Sequence, residues 1–138
     1  MILEGSISGV PILVIVDSGE SHNFVSTKLL KILALPVSPT KPFRVHLGDG
    51  QLISSSGMCR SLLVFLGGLA LNIDAYLFYT TGPDLVLGIA WLETLCYVAS
   101  HWKNLTMSFV LGGQSVTLQG LQPSQDPPLA LQTLLTDH

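Results

Sequence analysis

A run of apolar residues from Val10 to Val16 stops directly at the sequence Asp17-Ser18-Gly19. The run is short, rich in β-branched residues and preceded by Gly9, so it predicts a buried strand that ends in a tight turn. The segment Ile2 to Ser8 alternates in polarity well enough to be the hairpin partner of this strand. The fold is therefore constrained to a sheet with an acidic residue at the end of a buried strand.

The remaining sequence predicts a mostly β domain with two short helices. Ser26 is the expected cap of a helix over residues 27–34, and a helical turn is expected over residues 89–95. Gly48-Asp49-Gly50 gives the clearest hairpin signal in the chain, and residues 36–42 are expected to form a proline-containing loop. Further strands are expected at residues 43–47, 51–54, 62–66, 71–78, 84–87, 98–102, 106–110 and 115–118.

Composition restricts the class of protein. Hydrophobic residues make up 48% of the chain and charged residues 11%, which excludes an intrinsically disordered chain. So much apolar sequence in 138 residues predicts self-association, because a small domain cannot bury all of it. Residues 1–120 are predicted to form one domain, and residues 121–138, rich in proline and glutamine, are predicted to form a tail or linker.

Several kinds of partner are not expected. Six Lys and Arg residues against nine Asp and Glu, without a basic cluster, exclude a nucleic-acid partner. The longest apolar stretch, residues 62–71, is too short to span a membrane, and the N-terminus lacks the basic region of a secretory signal. An intracellular, cytoplasmic protein is therefore expected. Cys59, Cys96 and the four histidines lack metal-ligand spacing, so we expect two buried thiols and no metal.

Asp17 is the acidic residue with the most unusual surroundings. It follows an apolar strand, where a low dielectric disfavours the charged carboxylate unless a partner compensates. Ser18 can form local hydrogen bonds, and Gly19 lets another backbone approach closely. Taken alone, the triplet is more typical of an Asx turn than of a catalytic site, so both interpretations stay open at this point.

Several short segments occur in an order that is typical of one protein family. They are Val14 to Gly19, Ser21 to Ser26, the turn Leu47 to Gly50, Asp84 to Gly88 followed by Trp91-Leu92, and residues 106–109 and 116–120. Together they resemble the retropepsin-like aspartic proteases, in particular those of Ty3/gypsy-type retrotransposon polyproteins of plants. The likeness extends over residues 1–120, and ordered matches are far more specific than one triplet.

The resemblance implies a closed β-barrel of the retropepsin-like acid protease fold, with one short helix after the second apolar-apolar-glycine segment. It implies a homodimer in which each subunit supplies one Asp17 to a shared pair of carboxylates. The single Asp-Ser-Gly sequence in the chain agrees with this, because a two-fold axis brings identical residues together. The expected activity is that of an aspartic-type endopeptidase that cuts its own polyprotein.

The mechanism that the resemblance implies needs neither a metal nor a cofactor. Two carboxylates roughly 3 Å apart share one proton and titrate as a coupled pair. The ionised carboxylate activates a water molecule, and the protonated one donates to the carbonyl oxygen of the scissile peptide bond. We therefore expect one copy of Asp17 to act as the general base and the other as the general acid.

The resemblance also assigns the remaining site residues. Ser18 and Gly19 belong to the catalytic loop, where Ser18 is expected to orient the two loops by hydrogen bonds across the dimer. The hairpin around Gly48, Asp49 and Gly50 is the expected flap, which folds over an extended polypeptide substrate and excludes water.

Glu20 departs from the family pattern, which usually has a small residue at this position. If its side chain points into the cleft, it is a substrate-binding residue that selects basic side chains, or one that prevents catalysis. The first alternative is therefore an inactive, domesticated dimer of the same fold that acts as a binding or assembly module. The second is a protease with a different role, as in ubiquitin-shuttle proteins with a similar domain, although nothing in the sequence resembles a ubiquitin-like segment.

Overall fold

The computed structural model describes residues 1–46, 52–79, 82–95 and 97–121, and these residues form ten strands and two short helices. The strands are β1 (Ile2–Ile7), β2 (Val10–Val16), β3 (Phe24–Ser26), β4 (Ser38–His46), β5 (Leu52–Leu66), β6 (Leu69–Phe78), β7 (Leu85–Leu87), β8 (Val98–His101), β9 (Thr106–Leu111) and β10 (Gln114–Gln119). The helices are α1 (Thr27–Leu33) and α2 (Ile89–Leu92).

Six of these strands close into a barrel. They follow the order β1-β2-β7-β3-β6-β5, and the pair Ser6–Phe65 joins β5 back to β1. β4 extends this sheet beyond β5, and β8, β9 and β10 form a separate antiparallel sheet. The predicted mostly β, closed barrel is confirmed, as is the short helix that follows Gly88.

The pairing of β1, β2 and β7 follows from the pattern of the sequence. β1 and β2 pair antiparallel, and Ser8 and Gly9 in the turn between them both have positive φ. β7 pairs in parallel with β2, so Val16 lies beside Leu87. Because β2 is covered by neighbours on both edges, its apolar run becomes a central strand, and its last residue leads directly into Asp17.

The barrel encloses one main apolar core, with a smaller cluster beside it. Val14, Val64 and Leu85 have no exposed surface in the main core, and burial of each such side chain is worth roughly 1.5–3 kcal/mol. The smaller cluster, which we call the aromatic cluster, consists of Phe24, Phe78 and Val86, with Phe43 and Tyr76 packed against it.

Cys59 is a buried free thiol in the main core. Burial raises the pKa of this thiol, and the carboxylate of Asp74 adds to the effect. The thiol therefore stays protonated and unreactive at neutral pH. The prediction of a buried thiol is confirmed for Cys59, while Cys96 lies outside the described residues.

The predicted loop at residues 36–42 is wrong over most of its length. β4 begins at Ser38, pairs with β5 there and at Pro39, and pairs with it again from Phe43 onward. The register shifts between Pro39 and Phe43, where Pro42 has no N–H to donate. Proline is typical of loops, and the prolines here therefore led to the prediction of a loop. Proline is also tolerated on edge strands and at such irregularities, which is what the chain forms here.

Helix α1 has the cap that the sequence predicts. The Ser26 Oγ accepts a hydrogen bond from the Leu29 N–H at 3.4 Å, and Ala34 ends the helix with a φ of 52°. This helix has seven residues, and within the described parts of the chain no helix has the length and apolar character needed to cross a membrane.

Candidate active site

Asp17 lies at the end of β2 and begins the loop to β3, residues 17–23, which we call the Asp17 loop. Its Oδ1 accepts a hydrogen bond from the Gly19 N–H at 2.8 Å, and its carbonyl accepts one from the Glu20 N–H at 3.2 Å. The Asx turn that the triplet allows is therefore present, and it fixes the direction of the carboxylate. No other hydrogen bond to this carboxylate comes from the described residues, so its Oδ2 is available to water or to a second carboxylate.

The rest of the triplet lies at the tip of this loop. Asp17 is half-buried, whereas Ser18 and Gly19 are exposed. A Cβ atom on Gly19 would lie 3.1 Å from the Asp17 Oδ1, so the absence of a side chain allows the turn to close tightly. The exposed tip leaves Ser18 free to meet a second loop of the same kind.

The Asp17 loop caps the first turn of helix α2. The Ile89 N–H donates to the Glu20 carbonyl at 2.7 Å, and the Ala90 N–H donates to the Ser21 carbonyl at 3.1 Å. Gly88, at the cap position, has no side chain that could serve these groups. The helix therefore obtains its hydrogen-bond acceptors from the loop that carries Asp17, and loop and helix are positioned together.

Asn23 connects this loop to two further elements. This buried residue accepts a hydrogen bond at Oδ1 from the Gly88 N–H at 3.0 Å and donates from Nδ2 to the Asp74 carbonyl of β6 at 3.2 Å. At the other end of the loop, the Asp17 N–H donates to the Leu87 carbonyl at 3.0 Å. Sequence reasoning did not assign a role to Asn23, because only the folded chain brings Gly88 and Asp74 to its amide.

Gly88 allows the close approach between the loop and α2. A Cβ atom at this position would lie 2.5 Å from the carbonyl oxygens of both Glu20 and His22. These oxygens belong to the backbone, so they cannot move without displacing the loop itself. Gly88, the glycine of the second apolar-apolar-glycine segment, therefore allows the Asp17 loop to lie close to α2.

Glu20 is buried, with 5% of its surface exposed. Its backbone takes part in the contacts between the Asp17 loop and α2, and its side chain has little surface in the single chain. The predicted substrate contact of Glu20 has no support in the structure, and the burial of the side chain favours the opposite prediction, that Glu20 does not contact the substrate.

We expect Glu20→Gln to leave the choice of cleavage site unchanged, because a buried side chain does not touch the substrate. The variant keeps the shape of the side chain and removes its charge. The measurement is the distribution of products that the native and variant proteins release from a mixed peptide library. Loss of a preference for Lys or Arg in the variant would show that Glu20 reaches the substrate.

His22 joins the Asp17 loop to the aromatic cluster. Its Nδ1 lies 2.8 Å from the Ser21 Oγ, at hydrogen-bond distance. Its ring lies 5.3 Å from that of Tyr76, 5.9 Å from that of Phe43 and 6.3 Å from that of Phe24, measured between ring centres. Because Phe43 lies on β4, these rings link the loop to the strand that runs toward the predicted flap.

The predicted flap residues Gly48, Asp49 and Gly50 lie outside the described residues. The strands on either side are described: β4 and β5 pair antiparallel up to His46 and Leu52. The two arms of the hairpin are therefore present, and the role of its turn stays a prediction.

The groups at the Asp17 loop are a carboxylate, a hydroxyl and main-chain amides, which suit proton transfer to and from water.

The N-terminal amino group lies near Asp17. The Met1 amino group donates a hydrogen bond to the Val16 carbonyl at 3.2 Å. Burial lowers the pKa of this amino group, while the Asp17 carboxylate acts in the opposite direction. Within the described ranges, no three His, Cys, Asp or Glu side chains come together in a way that could hold a metal ion.

Comparison with known proteins shows which family and which solved structures the chain is similar to. Residues 3–108 match the family described as retroviral aspartyl protease, and this range includes the Asp17 loop and helix α2. The structure is similar to the crystal structure of the retroviral protease-like domain of Ddi1 from Leishmania major, with a TM-score of 0.65 and 17% sequence identity between the two chains. The match covers 91% of this chain and 96% of that chain. At this identity, the likeness shows the retropepsin-like fold. No curated protein matches the chain.

Proposed function

Because the chain belongs to the retroviral aspartyl protease family, we propose that it is an aspartic-type endopeptidase with Asp17 as its catalytic residue. The observation that carries this proposal is the position of Asp17. Its carboxylate is oriented by Gly19 on one oxygen and available on the other, at the end of a strand fixed to β7 on one side and to β1 on the other. Such a carboxylate is held in place without being neutralised by an ion pair with any described residue.

Catalysis requires a second copy of the chain in this proposal. Each chain contains one Asp-Ser-Gly sequence, and a two-fold axis through the loop tips would bring two Asp17 carboxylates together. In this proposal, Ser18, which is exposed at the tip, contacts the partner loop. The low charge content of the chain, 11%, suits an apolar interface of this kind.

The two carboxylates share one proton, because they cannot both ionise at short distance. The ionised Asp17 removes a proton from a water molecule that attacks the peptide carbonyl. The protonated Asp17 of the other subunit donates to the carbonyl oxygen, giving a tetrahedral diol that then breaks at the C–N bond as the nitrogen gains a proton. No covalent intermediate with the enzyme forms.

The substrate in this proposal is an extended polypeptide held by main-chain hydrogen bonds beneath the hairpin of β4 and β5. The resemblance to Ty3/gypsy-type proteases of plants favours a retrotransposon polyprotein as the source of the chain and as its substrate. Such an enzyme acts inside the cell, where the polyprotein is made.

The experiment that tests the proposed function is cleavage of a mixed peptide library by the purified protein from acid to neutral pH. We expect products with the native protein, none with Asp17→Asn, and inhibition by pepstatin-type mimics of the tetrahedral intermediate. The oligomeric state is measured on the same samples by light scattering. A native sample that is dimeric and well folded but cleaves nothing would contradict the proposal.

A catalytically inactive dimer that acts as a binding or assembly module is the second candidate. The observation that favours it is the burial of Glu20, an ionisable side chain three positions after Asp17, where the family usually has a small residue. Glu20→Ala separates the candidates within the same experiment. If only this variant cleaves peptides, the fold is competent and Glu20 suppresses the native activity.

A further inference from the structure

The edge of β6 that precedes Tyr76 has no neighbouring strand within the described ranges. β5 pairs with β6 along most of its length, but on the other edge β3 pairs only from Tyr76 to Phe78. Main-chain groups of successive residues point to opposite edges of a strand, and the Tyr76 N–H points toward β3, since it donates to the Asn23 carbonyl at 2.9 Å. By this alternation, the N–H and C=O groups of Asn72 and Ala70 point to the same open edge.

A side chain already makes one strand-like contact at this edge. The Asn23 Nδ2 donates to the Asp74 carbonyl at 3.2 Å, where the N–H of a neighbouring strand would otherwise donate. Beyond this contact, no described group bonds the outward N–H and C=O of Asn72 or of Ala70. These main-chain groups form a short ladder that another extended chain can complete.

A groove of about 470 Å³ lies beside this ladder. Trp91 and Leu95, both buried and therefore fixed, form part of its wall, and Leu111 of β9 lies in it with 40% of its surface exposed. We call the ladder and this wall the β6 groove. Sites that bind peptides by strand addition combine main-chain donors and acceptors with an apolar wall.

Asp74 is the charged residue among the described residues that line the β6 groove. Its Oδ1 accepts a hydrogen bond from the Ser61 N–H at 2.8 Å, which orients the carboxylate. No basic side chain forms an ion pair with it among the described residues, and none of the described residues that line the groove is Lys, Arg or His. The complement of this groove is therefore cationic.

We propose that the β6 groove binds an extended peptide segment that carries a Lys or Arg side chain. The segment adds as a strand to the edge of β6, where its main chain pairs with Ala70 and Asn72. An apolar side chain of the segment packs against Leu111 and Trp91, and the cationic side chain reaches Asp74. This site differs from the proposed cleft at Asp17 and does not depend on catalysis.

The test uses the full chain with Asp17→Asn, so that the probe peptide is not cleaved. The probe is a short peptide that alternates valine and threonine around one lysine, and amide resonances report where it binds. We expect perturbed resonances at Ala70, Asn72 and the Trp91 indole. A matched peptide N-methylated at alternate residues loses main-chain hydrogen bonds, and a peptide with glutamate in place of lysine loses the ion pair. Each is expected to bind about tenfold more weakly.

Two protein variants test the same contacts from the other side. Asn72→Pro removes one N–H at the open edge without removing a bond to β5, and Asn72→Ala is its control because it keeps that N–H. Asp74→Asn removes the charge and keeps an oxygen to accept from Ser61. We expect Asn72→Pro and Asp74→Asn to weaken binding of the lysine peptide about tenfold, and Asn72→Ala to leave it unchanged.

Several results would overturn this proposal. They are no perturbation at β6 by millimolar lysine peptide, equal binding of the N-methylated peptide, and perturbation confined to the Asp17 loop. If Asn72→Pro unfolds, the N-methylated peptide and Asp74→Asn still decide the outcome. Peptide cleavage by the native protein is a separate measurement, so failure here would leave the proposed protease activity intact.

Discussion

Asp17→Asn will lower the rate of peptide cleavage by about 10²- to 10⁴-fold, the range that general acid–base groups contribute. The amide is nearly isosteric with the carboxylate, so its oxygen can still accept from the Gly19 N–H, and the turn is retained. It cannot take a proton from water or hold the shared proton of the dyad. We therefore expect a folded dimer with at most about a hundredth of the native activity, measured by initial rates and by light scattering.

Asp84→Asn is the matched control for this prediction. The Asp84 Oδ2 accepts from the Leu13 N–H at 2.9 Å, and its own N–H donates to the Leu13 carbonyl at 3.0 Å. An amide oxygen can replace the carboxylate in the first contact, so we expect native cleavage rates. A dimeric Asp17→Asn protein that cleaves as fast as Asp84→Asn would contradict the assignment of Asp17.

Gly88→Ala is expected to destabilise the fold by about 3 kcal/mol, the upper part of the usual range for overpacking. The new Cβ atom would lie 2.5 Å from two backbone carbonyl oxygens, those of Glu20 and His22. Relief of this contact requires the Asp17 loop to move away from α2, which weakens the hydrogen bonds that fix the loop. Urea unfolding gives the change in the free energy of unfolding, and cleavage by the folded fraction gives the effect on the site.

Gly68→Ala is the control for the glycine substitution. A Cβ atom at Gly68 meets nothing within 4 Å, and this glycine has no positive φ that a side chain would oppose. We expect its free energy of unfolding to stay within about 0.5 kcal/mol of the native value. If Gly88→Ala were equally harmless, the loop would have to tolerate displacement, and the anchoring role of Gly88 would be wrong.

Local signals in the sequence were sufficient for the strand that presents Asp17. The β-branched run from Val10 to Val16 is flanked by Gly9 and by Asp17-Ser18-Gly19, so both its type and its bounds could be predicted. The same holds for the helix after Ser26, since the serine hydroxyl caps a nearby N–H of that helix. In these cases the deciding contacts join residues that are close in the chain.

Features that depend on distant contacts could not be predicted. The amide of Asn23 gains its role only when the chain brings Gly88, the cap residue of α2, and Asp74 of β6 to it. The burial of Glu20 runs against the usual exposure of carboxylates, so its charge alone predicted contact with solvent or substrate. The open edge of β6 was likewise invisible, because alternation in the sequence indicates the faces of a strand and not which neighbour lies along its edge.

The parallel pairing of β2 with β7 also sets when the Asp17 loop can form during synthesis. Val14 lies beside Leu85, and the loop also forms hydrogen bonds with the N–H groups of Gly88, Ile89 and Ala90. A nascent chain that ends before these residues has Asp17 and the contacts of Asn23 with β6, but none of the contacts between the loop and α2. Pairing across such a long intervening segment is also slow, because the loop-closure entropy is lost before the contact forms. The peptidase that we propose would therefore stay inert on the ribosome until most of its own domain has been made.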